Sequence, residues 1–340
     1  MIEGRHEKDM GEGEGEDKDA TQKTLEELNR QVLRRARAWR DRAVGQSPKK
    51  ATERDDRDEA DRHREEELAA ASCAVLRTRL PPEVYVARAR TPVYVAALGA
   101  AAAVVHGWWA LGMGWAGAAL SVGLVFLAVD AYSGVLHTVL DHPGHTTTPL
   151  IGRACVEFLW HHQLPHDIAV KPYIESCGDL NVIVATLVGS SAALTLWNPL
   201  RLCAHDPARL WAWTAYCAGL AVAFAYLGQW SHRSAHRRMM MDRDRDLEID
   251  LPRWSSWASR ATAWLQRAGL LMSPRVHALH HRHPAGGTQY SILTGATEPV
   301  LAGLRACLPP SRWPLAWLAL WALATATLVA GPAWLLAAST

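Results

Sequence analysis

The sequence predicts an all-α integral membrane protein: a four-span helical bundle with cytosolic histidine-rich helices, plus an extra C-terminal apolar helix. Three observations predict it. Apolar residues make up 49% of the 340-residue chain and charged residues 21%, but they are segregated, polar up to about Arg90 and strongly apolar after it. The apolar runs are close to the ~20 residues that a helix needs to cross a ~30 Å hydrocarbon layer. Histidines gather just beyond the ends of these runs rather than inside them. This divides the chain into a charged N-terminal region (1–90), a membrane domain (91–308) and a C-terminal hydrophobic helix (309–340).

The N-terminal region begins Gly/Glu/Asp-rich. Residues 24–44 then place Leu25, Leu28, Val32, Leu33, Ala36 and Trp39 near helical spacing among arginines. Such a helix either lies on a membrane surface or stands solvated between polar flanks. Residues 53–67 are mixed charge with almost nothing apolar, a composition unable to build a core. No apolar core precedes a small-residue cleavage site, so no cleavable secretory signal is expected.

Residues 93–112 and 115–136 are separated by so short a connection that they must form a hairpin. Residues 181–197 and 210–229 make a second hairpin across a loop holding Asn198, Pro199, His205 and Pro207. Residues 313–338 form a fifth apolar segment. Counting crossings puts the N-terminal region, residues 130–171 and the stretch after Gln229 on one side. That stretch carries Arg233, Arg237, Arg238, Arg243, Arg245, Arg253 and Arg260, whereas the loop between the second pair of spans offers Arg201 and Arg209. By the positive-inside rule the histidine side is cytosolic, in an endoplasmic reticulum, bacterial inner or plastid membrane.

The formal net charge of +2, with both signs mixed, excludes nucleic acid as a partner. Cys73, Cys155, Cys177, Cys203, Cys217 and Cys307 show no CxxC pair and no regular spacing, so they are expected to be buried or membrane-facing thiols rather than disulfides or zinc ligands.

The histidines carry the chemistry. In SPRVHALHH, His277, His280 and His281 fall at i, i+3 and i+4 and project from one helix face. His232 and His236 lie one turn apart, the geometry needed for two imidazoles on one metal. His161 and His162 are neighbours whose side chains diverge by about 100° on a helix, which suits two different metals. His137 ends an apolar run, with Asp130 two turns before it and Asp141 one turn after. Asp141 either orients an imidazole through its ring N–H or is a simple helix-end carboxylate. Eight imidazoles exceed what one zinc ion uses, so two metals are expected. His106 reads as an interfacial hydrogen-bonded residue, His142 and His145 as turn residues and His166 as a surface loop residue, all outside the ligand set. HHRHPAGG and DHPGH faintly echo the haem-binding HPGG of cytochrome b5, but neither sits in a small soluble α/β module.

From about Asp130 to Gly295 the chain resembles the Kua-type lipid desaturases, which include plasmanylethanolamine desaturases and plant plastid palmitate desaturases. DAYSGVLHTVLD is similar to the family's D-x-x-S-G-x-x-H-W-x-x-D, with Thr138 in place of the tryptophan. The histidine pair His161–His162 follows P-x-x-G, QWSHRSAH resembles Q-x-x-H-x-W-A-H with Ser234 replacing tryptophan, and LQRAGLLMSPRVHALHHRHP and QYSILTG complete the set. The resemblance implies that His137, His161, His162, His232, His236, His277, His280 and His281 bind two non-haem irons, with Asp130 and Asp141 serving catalysis. It also implies O2 as co-substrate, a membrane phospholipid as substrate and an external electron donor of cytochrome b5 or ferredoxin type. IESCGD (residues 174–179) is closer to the ether-lipid enzymes, which convert a 1-O-alkyl chain to the vinyl ether of a plasmalogen; GLLMS leans toward the plastid acyl-lipid form. Lys171 and Val276 replace histidines found in several ether-lipid enzymes. A lipid hydroxylase would use the same histidines. A histidine-rich zinc scaffold or transporter would place polar ligands within its spans, not beyond them.

Overall fold

The computed structural model describes residues 89–149, 151–163, 168–169, 172–197, 206–243, 256–282 and 289–338. Among them every regular element is helical. The expected helix over residues 24–44, Cys73, Cys203, His166 and His205 lie outside the described residues.

Helix α1, Thr91–Leu111, starts on a proline in its first turn, where the missing N–H costs nothing, and stops at Gly112, whose φ of 60° suits a residue without Cβ. Trp108 Nε1 donates to the Met113 carbonyl at 2.7 Å, closing the turn into α2, Trp115–Leu140. Helix α2 runs four residues past the apolar run and thereby carries His137 on its buried last turns. Short helices α3, Gly152–Gln163, and α4, Tyr173–Gly178, lead to α5, Asn181–Trp197.

Helix α6, Pro207–Arg243, spans roughly 55 Å at 1.5 Å per residue, far more than the hydrocarbon thickness. It is long enough to cross a bilayer with length to spare, and it carries His232 and His236 near its end on the same continuous helix. Residues 239–243 belong to this helix. So do Arg233 and Arg237, which are buried helix residues rather than loop charges; Arg238 and Arg260 are exposed.

Helices α1 and α6 run antiparallel at close range because small residues face each other. A Cβ on Gly107 would lie 2.5 Å from Tyr216 Cβ and 2.7 Å from the Ala212 carbonyl oxygen; one on Gly219 would lie 2.7 Å from the Ala100 carbonyl oxygen. In the bilayer, where apolar burial gives no driving force, such close backbone packing supplies the association energy.

By length and composition α1, α2, α6 (as far as Met239) and α10, Pro314–Ala338 (as far as Gly331), suffice to cross a membrane. These are not the same four as the sequence suggested: among the described residues α5 has 17, about 26 Å of rise, and is a shorter apolar helix. It nonetheless leaves the histidine end, where Leu180 and Val184 pack with Val93 and Tyr226. The C-terminal helix is integrated into the bundle: Trp317 is 1% exposed in a core with Leu136, Leu140 and Leu301, and Trp321 Nε1 donates to Tyr132 Oη at 3.1 Å. Helices α7, Ser256–Arg267, α8, Pro274–Arg282, and α9, Glu298–Cys307, fill the end where α2 and α6 emerge. Cys155, Cys177 and Cys217 are buried and Cys307 is exposed, all as free thiols.

Candidate metal centre

Eight histidines from four helices meet at that end and form two adjoining groups. His161 of α3, His232 and His236 of α6, and His277 and His281 of α8 make one; His137 and Asp141 of α2, His162 of α3 and His280 of α8 make the other. Within each group the ligand atoms lie within 4.8 Å of one another. The adjacent pair His161 and His162 divides between the groups. The triplet on α8 also divides, His277 and His281 to one side and His280 to the other, so its single face straddles both. The His162 and His281 rings, one from each group, are 4.5 Å apart.

The nitrogens face each other. His236 Nε2 is 3.2 Å from His232 Nε2 and 2.7 Å from His277 Nε2, which is 3.0 Å from His281 Nε2. A neutral imidazole has one N–H and one in-plane lone pair, so the three contacts along this run of four Nε2 atoms cannot all be two-centre hydrogen bonds. Ligands held ~2.1 Å from a cation at right angles stand roughly 3 Å apart, which is the spacing seen. His161 Nε2 is buried with no hydrogen-bond partner among the described residues, as are the Nδ1 atoms of His236, His277 and His281. Five imidazoles and no thiolate exceed a tetrahedral zinc shell and suit first-row metals of higher coordination. The donor set thus fits a pair of transition-metal ions.

In the second group His280 Nε2 is 3.2 Å from His137 Nε2, and Asp141 closes the ring with Oδ1 2.9 Å from His162 Nε2 and Oδ2 3.4 Å from both His137 Nε2 and His280 Nε2. Asp141 therefore meets the metal-facing edges of the imidazoles, in a ligand's place rather than behind a ring. Orientation comes from elsewhere: His137 Nδ1 lies 2.8 Å from the Tyr290 carbonyl oxygen, which only an Nδ1–H can satisfy, leaving Nε2 with its lone pair.

Burial holds His161, His277 and His281 well below the usual imidazole range and His280 down to about 3, each keeping its lone pair free for a metal at neutral pH. Burial alone would push Asp141 up, but His137 and His162 draw it well below the usual carboxylate range.

Asp130, expected to serve catalysis, lies outside both groups, and its fully buried carboxylate is occupied. Oδ1 accepts from Thr294 N (2.8 Å), Thr294 Oγ1 (3.2 Å) and Gly295 N (3.2 Å), and Oδ2 from Thr297 N (3.0 Å) and Thr297 Oγ1 (2.8 Å). It caps the start of α9 from a distance and moors residues 289–297 as a strap across α2. Ser133 Oγ accepts from Ile292 N at 3.2 Å, and a Cβ on Gly134 would strike Leu301 Cδ1 and Ser291 Oγ at 2.4 and 2.8 Å. Asp130, Ser133, Gly134 and His137 are therefore one helix face, three residues receiving the strap and the fourth oriented by it.

Two residues escaped the sequence reading. Ser231 Oγ donates to the Leu293 carbonyl (2.9 Å) and accepts from Met272 N (2.7 Å), joining α6, the approach to α8 and the strap at one atom. Glu298 accepts from Gln289 N and from Tyr290 N (2.6 and 3.0 Å) and pairs with Arg305, whose guanidinium also stacks 4.4 Å over the Tyr290 ring. The only signal for Ser231 is its position just before His232; for Glu298 there is none. His142 and His145 stay outside the groups, His145 Nε2 lying 3.2 Å from the Pro314 carbonyl. Glu175 of the IESCGD stretch is buried and receives Arg90 at 2.6 Å, tying α4 to the start of α1.

Residues 126–306, just over half of the chain, match the family model described as a lipid desaturase domain. Fatty acid desaturase 4, chloroplastic, of Arabidopsis thaliana is 29% identical over 179 residues, which cover 52% of this chain and 45% of that relative, so the chain matches less than half of its length. No solved structure matches.

Proposed function

Because the chain belongs to the lipid desaturase family, we propose that it is an O2-dependent di-iron oxidoreductase that introduces a double bond into a membrane lipid close to its headgroup. The observation that carries this is the pair of adjoining histidine groups, one completed by Asp141, at the end of the bundle where α2 and α6 terminate. Two irons bound there, reduced by an external cytochrome b5- or ferredoxin-type donor, supply with O2 the oxidant for R–CH2–CH2–R′ + O2 + 2e⁻ + 2H⁺ → R–CH=CH–R′ + 2H2O.

The residues do the rest. The eight histidines and Asp141, fixed on α2, α3, α6 and α8, have little freedom to rearrange. The Tyr290 carbonyl holds His137 in the tautomer that presents Nε2. The position of the groups at the emerging ends of the spans brings the headgroup-proximal methylenes of a bilayer lipid to the site, while the distal chain stays among the apolar helices.

The finer reading is conversion of a 1-O-alkyl phospholipid to the vinyl ether, supported by Ile174, Glu175, Gly178 and Asp179 of the IESCGD stretch. The second reading, desaturation of an acyl chain near the headgroup, is supported by the similarity to a plant fatty acid desaturase. Expression in cells that contain 1-O-alkyl phospholipids and lack vinyl ethers separates them by lipid mass spectrometry. An acid-labile, oxygen-dependent product supports the first, and an acid-stable isomer of the same mass replaces it with the second. No new alkene of either kind, from protein shown to carry iron, rejects both.

A further inference from the structure

Helix α7 contributes nothing to the histidine groups, and its two faces differ sharply. Inward, Thr262 and Gln266 are buried, and Thr262 Oγ1 accepts from Trp230 Nε1 of α6 at 3.2 Å. Outward, Trp257 and Trp264 are 70% and 58% exposed, Arg260 and Arg267 are exposed beside them, and Leu270 follows just past the helix end, 50% exposed. Seven residues apart, the two tryptophans fall within about 20° of each other around the helix axis, and Arg260 and Arg267 repeat that interval about 60–80° to one side. The outward face is therefore a stripe of indoles flanked by a stripe of guanidinium groups.

The hydrogen bond to Trp230 fixes the depth of that face. Trp230 directly follows the apolar run of residues 210–229 and stands two residues before His232, the level at which the sequence of α6 turns from apolar to polar. Indoles and guanidinium groups are favoured at this level, the first for an apolar body with an N–H, the second for a charge that meets phosphate. The opposite end of the bundle shows the matching belt, with Trp109 and Trp115 81% and 77% exposed at the α1–α2 turn. On the histidine side Tyr94, near the start of α1, is 55% exposed.

We propose that α7 is an in-plane interfacial anchor whose Trp257 and Trp264 insert at the glycerol level of the leaflet on the histidine side, with Arg260 and Arg267 binding anionic phospholipid headgroups. Through Trp230 the anchor sets how far the histidine groups stand from the bilayer core, and so which carbons of a lipid chain reach them. The occupant of this face is the bilayer itself, because Thr262 ties α7 to α6 directly after its apolar run and Arg260 and Arg267 carry the charge complementary to anionic lipid.

The full-length protein in phosphatidylcholine vesicles, with and without phosphatidylglycerol, tests this by photolabelling. One phospholipid probe carries a diazirine next to the glycerol and a second carries it at the chain terminus; peptides covering residues 256–270 are then read by mass spectrometry. The glycerol-level probe is expected to label Trp257 and Trp264 severalfold more than the chain-end probe, and labelling is expected to rise when phosphatidylglycerol is present. Absence of labelling by the glycerol-level probe, or labelling by the chain-end probe alone, overturns the anchor. Equal labelling in both vesicle types overturns the headgroup role of Arg260 and Arg267. The double variant Trp257→Gln/Trp264→Gln should lose the label on neighbouring residues; if it does not fold, the wild-type depth pattern still decides. None of these outcomes depends on metal or on turnover, so they are separable from the desaturase reading.

Discussion

At the residue scale, Asp141 and Asp130 are two carboxylates on the same helix with opposite fates. Asp141 faces three imidazole nitrogens and completes a ring of donors, so Asp141→Ala should lower the metal content of the purified protein by about one ion per chain and reduce product to roughly 1% or less. Elemental analysis checks the first and lipid analysis the second; an unchanged metal content would remove Asp141 from the site. Replacing His161, His162, His232, His236, His277, His280 or His281 by alanine should abolish product while the protein stays in the membrane. Near-full activity at two or more of these positions contradicts the di-iron reading. Asp130 accepts five hydrogen bonds from the strap and has none to spare for chemistry. Asp130→Ala leaves those donors unpaired in a buried place, with an expected cost of about 2–4 kcal/mol. Thermal unfolding in detergent should register this as a large drop in Tm.

At the scale of elements, the decisive contacts are backbone to backbone. Gly107→Ala drives a Cβ into the Ala212 carbonyl and the Cβ of Tyr216, which no rotamer change relieves, and α1 must move off α6 at a cost of about 1–3 kcal/mol. Gly117, which has nothing within 4 Å of its would-be Cβ, is the control: Gly117→Ala should leave thermal stability unchanged or raise it by up to ~1 kcal/mol. Similar gains at both positions would show that helix propensity, not packing, controls this bundle. The strap obeys the same logic, its Gly295 needed for a φ of 86° and Gly134 needed to let Ser291 and Leu301 approach α2.

At the scale of the whole molecule, α1 begins, α2 ends and α6 ends where the histidines gather. A tag at the N-terminus and a tag inserted after Arg243 should therefore face the same side of the membrane, and a tag at His205 the other. Arginine asymmetry makes the cytosol the expected shared side. Protease protection in sealed vesicles reads this directly, and opposite accessibility of the first two tags would break the shared site.

The sequence by itself determined the helical membrane class and the identity and helix spacing of the histidines, because apolar run length and the 100° step per residue are local properties. That step alone sends His161 and His162 in different directions. It could not assign partners across helices, and only the tertiary structure divided the triplet on α8, seated Asp141 among the nitrogens and turned Asp130 into a mooring for the strap. Nor could span length reveal that Trp317 buries the C-terminal helix against α2. Which donors converge on a point depends on how helices distant in the chain are packed, and the packing is set by small residues such as Gly107 and Gly134 whose meaning appears only when the facing surface is known. Ser231 and Glu298 make the same point, since an ordinary serine and an ordinary glutamate become joints of the site through the backbone groups that the fold delivers to them.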